Sequence, residues 1–235
     1  MIDGPANPTV KKPLIISWSG GKDSCFALHE IQKISTFQVA ALLTTITRDY
    51  DRISMHGVRR ILLERQASSL GQQLRTVSIS KNAGNDEYEN NMSEALMDYR
   101  ESGVSSVAFG DLFLEDVRSF RERLLAKNGM QGVFPLWQRN TTDLIREFID
   151  LGYKSIVTCV NSQLLDGSFV GRIIDYSFLK SLPSNIDPCG ENGEYHSFVF
   201  DGPIFREPVR FSSGACVLRD SFWFCDLVPE ERNFF

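Results

Sequence analysis

The sequence predicts an α/β protein with a mostly parallel β-sheet that carries helices on both faces, followed by a smaller α+β unit. Over the first two thirds of the chain, short apolar runs alternate with amphipathic stretches, which is typical of strand–helix–strand units with right-handed crossovers. The runs are continuously apolar, as expected for strands that are covered on both faces. After Pro188 the pattern changes to short strands and turns rich in glycine, proline and aromatic residues.

The predicted elements follow one another in a regular order. Apolar runs predict strands at 14–18, 39–46, 74–79 and 104–110. Apolar side chains at a spacing of three or four residues predict helices at 23–34, 58–70, 88–99 and 117–128. Gly71, Gly103 and Gly129 follow three of these helices, at the position that favours a left-handed residue. A helix at 142–151 and a strand at 155–160 add one more αβ unit, and short strands are predicted at 198–200, 216–218 and 222–225.

The change of pattern predicts a domain boundary near residue 130. The N-terminal unit is then 1–130, with 1–12 as a loose tail, and the C-terminal, substrate-binding unit is 131–235. The aromatic, β-rich end at 222–235 is a candidate surface for a homodimer. No run of 18 apolar residues occurs, so no membrane span is expected.

The composition argues against several classes of protein. Hydrophobic residues make up 42% of the 235 residues and charged residues 23%, so neither disorder nor a fibrous class is expected. The net charge of −5 argues against a protein that is held to nucleic acid mainly by bulk charge. Five cysteines, none of them in a C-x-x-C pair, argue against a disulfide scaffold and a structural zinc site, and they predict reduced thiols in the cytoplasm.

The strongest chemical signal lies between the first predicted strand and the first predicted helix. It consists of Ser19, Gly20, Gly21, Lys22, Asp23 and Ser24. Two glycines let backbone N–H groups approach a ligand, the helix N-terminus adds oriented donors, and Lys22 adds a full positive charge. These groups suit an anion such as pyrophosphate, whereas the alternative is a plain βα turn with a serine or aspartate cap. The hexapeptide matches neither G-x-x-x-x-G-K-[ST] nor G-x-G-x-x-G, which disfavours a Walker-type NTPase and a dinucleotide site.

A second polar constellation spans 187–196, with the sequence DPCGENGEYH. Proline and two glycines impose an irregular backbone, into which the chain places carboxylates, an amide, a phenol and an imidazole. Such a group can bind Mg²⁺, orient a nucleophile or move a proton. The alternative is a solvated glycine-rich turn whose acids face water.

Together the two motifs resemble one family of enzymes. SGGKDS after a strand is similar to the pyrophosphatase loop (PP-loop) of ATP enzymes that cleave between the α and β phosphates, a superfamily with a Rossmann-like (HUP-type) sheet. PCGENGEYH followed by FVFDGPIF resembles the C-terminal motif of the diphthine–ammonia ligase family, the ATP-dependent amidases that finish diphthamide. Both motifs occur in the expected order, and the resemblance runs from about Leu14 to about Phe205.

For the first motif the resemblance implies an ATP-binding loop. Residues 19–24 would hold the phosphates, with Lys22 stabilising charge on the leaving pyrophosphate. Asp23 would share a metal ion or cap the helix. Leu43 and Thr44, at the end of the second predicted strand, would lie against adenine through backbone groups.

For the second motif the resemblance implies contact with the acyl-adenylate. The residues concerned are Gly190, Glu191, Asn192, Gly193 and Glu194, and His196 follows in the same motif. Among them, Glu191 and Glu194 would orient the second substrate or the amine.

Further candidates lie outside the two motifs. Gly110 and Asp111 follow the fourth predicted strand, where open α/β sheets bind ligands, and Glu115 follows on the same loop. These acids would hold Mg²⁺ or the incoming amine, and the alternative is charge at a helix N-terminus. His56 matches a family position, but its surroundings, ISMHGVRR, resemble a bacterial-type branch, which leaves the acyl substrate open. The alternative for His56 is an ordinary loop histidine.

The sequence therefore predicts an amide-forming ligase. ATP and Mg²⁺ would activate a substrate carboxylate as an acyl-adenylate with release of pyrophosphate, and ammonia or an amine would then displace AMP. The carboxylate would be the diphthine of elongation factor 2 in an archaeal or eukaryotic source and is otherwise unknown, as are the metal ligands. Two alternatives stay open: a tRNA-modifying enzyme that shares the loop, and a non-catalytic sensor that holds ATP or AMP.

Overall fold

Two β-sheets organise residues 11–81 and 83–231, the residues that the computed structural model describes. The strands are β1 (Lys12–Ser17), β2 (Phe37–Thr47), β3 (Arg52–Ile53), β4 (Leu74–Ile79), β5 (Ser106–Ala108), β6 (Gln131–Val133), β7 (Lys154–Asn161), β8 (Tyr195–Asp201), β9 (Phe211–Arg219) and β10 (Phe222–Pro229). The α-helices are α1 (Lys22–Lys33), α2 (Arg60–Ser69), α3 (Asn85–Glu101), α4 (Glu115–Lys127), α5 (Thr141–Asp150) and α6 (Tyr176–Ser181), and a 3₁₀ turn covers Gly167–Phe169.

The first sheet confirms the predicted parallel architecture. Its strands lie in the order β4-β2-β1-β5-β6, and all of these neighbours are parallel. Only the short β3, which pairs with the end of β2, is antiparallel within the described part of this sheet. The strand order reverses between β1 and β5. In open α/β sheets, ligands bind beyond the carboxyl ends of the strands at such a reversal.

Helices cover both faces of this sheet. Leu14 and Ile16 of β1 join an apolar cluster with Phe26 of α1. Ile15, which lies between them, joins a separate cluster with Leu96 of α3. Successive side chains of a strand point to opposite faces, so a strand buried on both sides reads as an unbroken apolar run.

The second sheet corrects part of the sequence-based expectation. Its order is β8-β7-β10-β9, and every pair is antiparallel. The strand predicted at 155–160 is therefore part of this sheet and does not extend the parallel one. Its continuous apolar run is explained by burial on both faces.

Several predicted boundaries also shift. β6 pairs in parallel with β5, so the first sheet ends at Val133, beyond the expected boundary at 130. β2 continues to Thr47, which places Leu43 and Thr44 inside the strand and not at its end. β1 begins at Lys12, while the remainder of the expected tail at 1–10 and the final residues 232–235 lie outside the described residues.

The two units share one hydrophobic core. The apolar cluster that contains Leu14 and Phe26 of the first unit also contains Phe198 and Val199 of β8. The second sheet therefore lies directly against the β1–α1 junction. Among the described helices, none combines the length and apolarity needed to cross a membrane.

An ion-pair network also ties the second sheet to the first unit. Asp226 on β10 accepts hydrogen bonds from Arg59 Nε at 3.0 Å, from Arg59 Nη2 at 2.6 Å and from Arg52 Nη1 at 2.9 Å. The hydrogen bonds from Arg59, supported by Arg52, lower the pKa of Asp226 to about 2. The folded protein therefore stabilises the charged form of this carboxyl group.

We expect Asp226→Asn to lower the free energy of unfolding by about 1 kcal/mol at pH 7, after allowance for solvent screening at this partly exposed group. The contribution of the ion pairs is complete above the ordinary aspartate pKa of about 4 and is lost as the pH falls through about 2. Urea unfolding of both proteins between pH 7 and pH 3 measures this difference, with Asp220→Asn at the tip of the same hairpin as the control. A difference that does not shrink below pH 4 would contradict the assignment.

Candidate functional site

A tight turn, residues 18–21, joins β1 to α1 at the carboxyl edge of the first sheet. Gly20 has a φ of +75°, and a Cβ on this residue would lie 2.6 Å from Leu63 Cδ2. A Cβ on Gly21 would lie 3.0 Å from the carbonyl oxygen of Ser197. Because α2 and β8 approach so closely, the turn has little room for side chains, and the left-handed position requires glycine.

Hydroxyl oxygens accept the backbone N–H groups of this turn. The Gly21 N–H donates to Ser19 Oγ at 3.2 Å, and the Lys22 N–H donates to Ser197 Oγ at 3.2 Å. The Ser19 N–H donates to Ser24 Oγ at 3.4 Å. These donors converge at the N-terminus of α1, where the helix dipole favours an anion. Sequence analysis did not identify Ser197, because it lies 175 residues from Lys22 along the chain.

Gln66 on α2 is a second residue that sequence analysis missed. Its side chain is 0% exposed, and its Oε1 accepts the Trp18 Nε1–H at 2.9 Å. Its Nε2 donates to the Gly20 carbonyl oxygen at 3.0 Å and to the Val199 carbonyl oxygen at 2.6 Å. In the sequence Gln66 looks like any polar residue of an amphipathic helix. Only the tertiary structure shows that its side chain joins the turn to β8.

Lys22 is buried beside the turn and forms an ion pair. Its Nζ lies 2.9 Å from Asp23 Oδ2 and 5.1 Å from the centre of the Tyr195 ring. Burial alone would lower the pKa of Lys22, but the carboxylate of Asp23 and neighbouring groups raise it overall, so the ammonium group stays charged. Asp23 Oδ1 is buried and has no hydrogen-bond partner among the described residues. The pair therefore has capacity for a further ligand.

Two more carboxyl groups lie near this ion pair. Glu191 Oε1 accepts the Leu112 N–H at 2.8 Å, which ties the second motif to the segment after β5. Burial and the nearby carboxylate of Asp23 raise the pKa of Glu191 to about 7. Burial also raises the pKa of Asp111, whose Oδ2 lies 3.0 Å from Arg121 Nε without the geometry of a hydrogen bond. These carboxyl groups influence one another's protonation around the charged lysine.

The second motif is held together by its own side chains. Glu194 is 3% exposed, and its Oε1 accepts the Asp187 N–H at 3.0 Å and Asn192 Nδ2–H at 3.1 Å. The Tyr195 hydroxyl donates to the Pro188 carbonyl oxygen at 2.6 Å. In this structure Glu194 and Asn192 thus hold the loop, whereas Glu191 lies near enough to Lys22 to interact with its charge.

Two consecutive turns set the direction of the motif's backbone. The Gly190 N–H donates to the Asp187 carbonyl oxygen at 2.8 Å, and the Gly193 N–H donates to the Gly190 carbonyl oxygen at 3.2 Å. The Glu191 N–H donates to Asp187 Oδ2 at 2.9 Å. The motif is therefore an ordered loop and not a solvated turn.

Two imidazole rings lie beside the turn at the end of β1. The ring centres of His56 and His196 are 4.5 Å apart, and the ring planes are inclined by 32°. His56 Cε1 lies 3.2 Å from the position of a Cβ on Gly21, and His56 Nδ1 lies 3.3 Å from the Ser197 carbonyl oxygen. Burial lowers the pKa of His56 to about 4 and holds the pKa of His196 well below its usual range. Two histidines predicted separately therefore meet as a neutral pair.

The remaining predicted site residues have different positions. A Cβ on Gly110 would lie 2.6 Å from the carbonyl carbon of Asp23, so this glycine allows the segment after β5 to approach α1. Leu43 and Thr44 are buried in β2, and the Leu43 carbonyl oxygen accepts the N–H of the residue after β1 at 2.7 Å. Glu115 is exposed on the first turn of α4.

Sequence profiles of two domains match the chain. The diphthamide synthase N-terminal domain matches residues 12–132, and the diphthamide synthase C-terminal domain matches residues 140–227. The first match contains the turn and helix that carry Lys22, and the second contains the loop that carries Glu191. The interval between the matches begins at the last residue of β6.

Curated relatives share this span. A diphthine–ammonia ligase from Mus musculus is 25% identical over 226 residues, which cover 86% of this chain and 84% of that protein. The diphthine–ammonia ligase of Homo sapiens is also 25% identical, over 227 residues with the same coverage. A solved structure, the predicted subunit of tRNA methyltransferase from Methanocaldococcus jannaschii, aligns with a TM-score of 0.42 at 17% identity over 80% of this chain and 96% of that chain.

Both profiles therefore apply to the same chain in the expected order, and together they include the two motifs that form the site. The relatives match over most of their own length as well. The chain belongs to the diphthamide synthase family, and its curated relatives place it among the ligases, as an enzyme that forms a carbon–nitrogen bond.

Proposed function

We propose that the protein is an ATP-dependent ligase of diphthamide synthesis, which activates the carboxylate of a diphthine-containing substrate and converts it to an amide with ammonia. The observation that carries the proposal is the meeting of the two motifs: the Lys22 N–H donates to Ser197 Oγ, and Glu191 lies close enough to Lys22 and Asp23 to interact with their charges. A nucleotide at the first motif would therefore face the second motif directly. The names of the curated relatives support diphthine and ammonia as the substrates.

The proposed reaction has two steps. A carboxylate oxygen attacks the α-phosphorus of ATP, and the bond from the α-phosphorus to the oxygen that bridges to the β-phosphate breaks, which releases pyrophosphate. Ammonia then attacks the acyl carbon, the bond from that carbon to the AMP oxygen breaks, and the nitrogen gives up one proton. Such reactions depend mainly on positioned reactants and stabilised charge.

The phosphate groups of ATP would lie against the turn at 18–21. Its N–H groups donate to serine hydroxyl oxygens in this structure. These hydroxyl groups can rotate away, so that the N–H groups can donate to phosphate oxygens instead. Lys22, fixed by its ion pair with Asp23, would stabilise the negative charge that develops on pyrophosphate. Leu43, whose carbonyl oxygen accepts the N–H of Trp18 in the turn at 2.7 Å, is the proposed neighbour of adenine.

Glu191 is the proposed acceptor of the proton that the attacking nitrogen loses. Its pKa of about 7 means that a substantial fraction of the carboxyl group is ionised at neutral pH and can still be protonated during the reaction. Its Oε1 is oriented by the Leu112 N–H. Glu194 supports this role indirectly, because it accepts the Asp187 N–H and so holds the loop that carries Glu191.

The described residues fit Mg²⁺ in part. Asp23 has a buried carboxylate oxygen without a partner, and Asp111 lies near enough to influence its charge. Mg²⁺ is commonly held by one or two carboxylates together with substrate phosphates, and no group of three His, Cys, Asp or Glu side chains is arranged for a metal ion within 11–81 and 83–231. We propose Asp23 and Asp111 as its ligands; Mg²⁺ bound there would neutralise phosphate charge.

The body of the carboxylate substrate has space in a neighbouring cavity of about 400 Å³. The cavity lies at the carboxyl ends of β2 and β4, where Thr47 and Lys81 line it. Met55 and Gly57 form part of its wall, while His56 between them packs against the turn at the end of β1. A substrate in this cavity would therefore be separated from the phosphates by one short segment of chain.

The proposed location is the cytoplasm. All five cysteines are free thiols, as expected for a reducing compartment. They are Cys25, Cys159, Cys189, Cys216 and Cys225.

The proposed function is tested by incubating the purified protein with ATP, Mg²⁺, ammonium chloride and elongation factor 2 that carries diphthine. We expect AMP and pyrophosphate in equal amounts, together with the mass change of an acid converted to an amide. Release of ADP and phosphate would contradict the adenylation mechanism. AMP formation without an amide would contradict the proposed substrate.

We expect Lys22→Ala to lower the rate of pyrophosphate release by about 100-fold or more, because a buried cation aimed at developing charge is lost. Lys33→Ala is the matched control, since Lys33 is an exposed lysine of the same helix. Near-normal turnover in the Lys22 variant, measured with labelled ATP, would rule out its role in the mechanism.

We expect Glu191→Gln to stabilise the folded protein at alkaline pH. Because the pKa of Glu191 is raised to about 7, the folded state holds its proton longer than the unfolded state does, and wild-type stability falls as the pH rises from about 4.5 to 7. The variant avoids this loss, so its advantage should grow over that interval to about 2 kcal/mol, after allowance for solvent screening at this partly exposed group, and then level off.

Chemical unfolding between pH 4.5 and pH 8 measures this advantage. Glu115→Gln, which replaces an exposed glutamate, is the control. An advantage of Glu191→Gln that is the same at pH 4.5 and pH 8 would contradict the raised pKa.

A further inference from the structure

Gln66 on α2 lies where the turn and β8 meet. Its amide contacts the turn through Trp18 Nε1 and the Gly20 carbonyl oxygen, and it contacts β8 through the Val199 carbonyl oxygen. The Val199 N–H also donates to the Gly20 carbonyl oxygen, at 2.9 Å. This one loop carbonyl therefore accepts two hydrogen bonds, one from each unit of the protein.

We propose that Gln66 is a positioning residue that couples the phosphate-binding turn to β8, so that the hydrogen bonds of Gln66 and β8 hold the turn in its ATP-binding conformation. The inference rests on the proposed function, in which this turn binds ATP. Gln66 does not touch the reacting atoms and acts through Gly20. Its effect is to hold the left-handed residue on which the direction of the N–H groups of the turn depends.

The chemistry of the amide explains why glutamine occupies this place. The side chain accepts one hydrogen bond and donates two, and each of these bonds is made to a buried partner. Glutamate would keep the acceptor but lose both donors, and methionine would keep the length but lose all three bonds. Either change would leave the Val199 carbonyl oxygen without this donor, in a place that water does not reach.

The consequence extends to the second motif through β8. Ser197, two residues before Val199, accepts the Lys22 N–H, and the His196 ring lies against the His56 ring. If the Gly20 carbonyl group moved, the turn would therefore also lose its alignment with β8, the strand that follows the second motif. Gln66 therefore couples ATP binding at the turn to the ordering of β8.

The experiment compares wild type, Gln66→Met and Gln66→Glu, with Ser68→Ala as the control because Ser68 is exposed on the same helix. Calorimetry measures the Kd for ATP without any acyl substrate, and circular dichroism confirms the fold at the same temperature. We expect both Gln66 variants to raise the Kd for ATP by about ten-fold or more, because the N–H groups of the turn would no longer be held in their binding direction, and Ser68→Ala to leave it unchanged.

A lowered melting temperature with an unchanged Kd would mean that Gln66 is only structural and would overturn the proposal. If wild type binds ATP and both variants bind it equally well, this inference fails and the proposed function stands. If wild type itself binds no ATP, both fail.

Hydrogen exchange on the wild-type protein tests the coupling without any variant and so covers the case in which a variant does not fold. We expect ATP to slow the exchange of the Val199 amide together with the amides of the turn. Slowing confined to the turn would overturn the coupling, since the Val199 N–H is bonded to the Gly20 carbonyl oxygen.

Discussion

The site depends on how the carbonyl group of Gly20 is held, with one hydrogen bond from the Gln66 side chain and one from the Val199 N–H. A left-handed residue with its carbonyl fixed in this way turns the following N–H groups toward a common point at the N-terminus of α1. The same contact brings β8 against the turn, and β8 leads directly out of the second motif. One junction thus positions both the backbone N–H groups of the turn and the loop that carries Glu191.

Electrostatics reinforces this arrangement. Lys22 is a buried cation among several carboxyl groups in a chain of net charge −5, and its ion pair with Asp23 keeps it charged. Around it, burial raises the pKa of Asp111 and Glu191 and lowers the pKa of the two histidines. Groups whose pKa values are shifted in different directions within one site are typical of sites that move protons.

Much of the site was open to prediction from local pattern. The hexapeptide at 19–24 and the motif at 187–196 were recognised because their chemistry is contiguous in the sequence, and the structure brings them together. The site roles themselves stay predictions, which the variants of Lys22 and Glu191 will test. Gln66 and Ser197 could not be found in this way, since each is one ordinary polar residue whose partners lie far away along the chain.

The fold, like the site, has features that local sequence predicts and features that depend on contacts between distant residues. By itself the sequence determined the parallel sheet and the helices on both its faces, because burial on both sides produces unbroken apolar runs and helices repeat at their own period. It could not decide that β7 belongs to an antiparallel sheet, because a strand buried on both faces has the same pattern in either sheet. Nor could it place β6, which is three residues long, or the packing of β8 on the turn at 18–21. Strand partners and the contacts between distant loops are set by long-range hydrogen bonds and shared burial, and these exist only once the chain has folded.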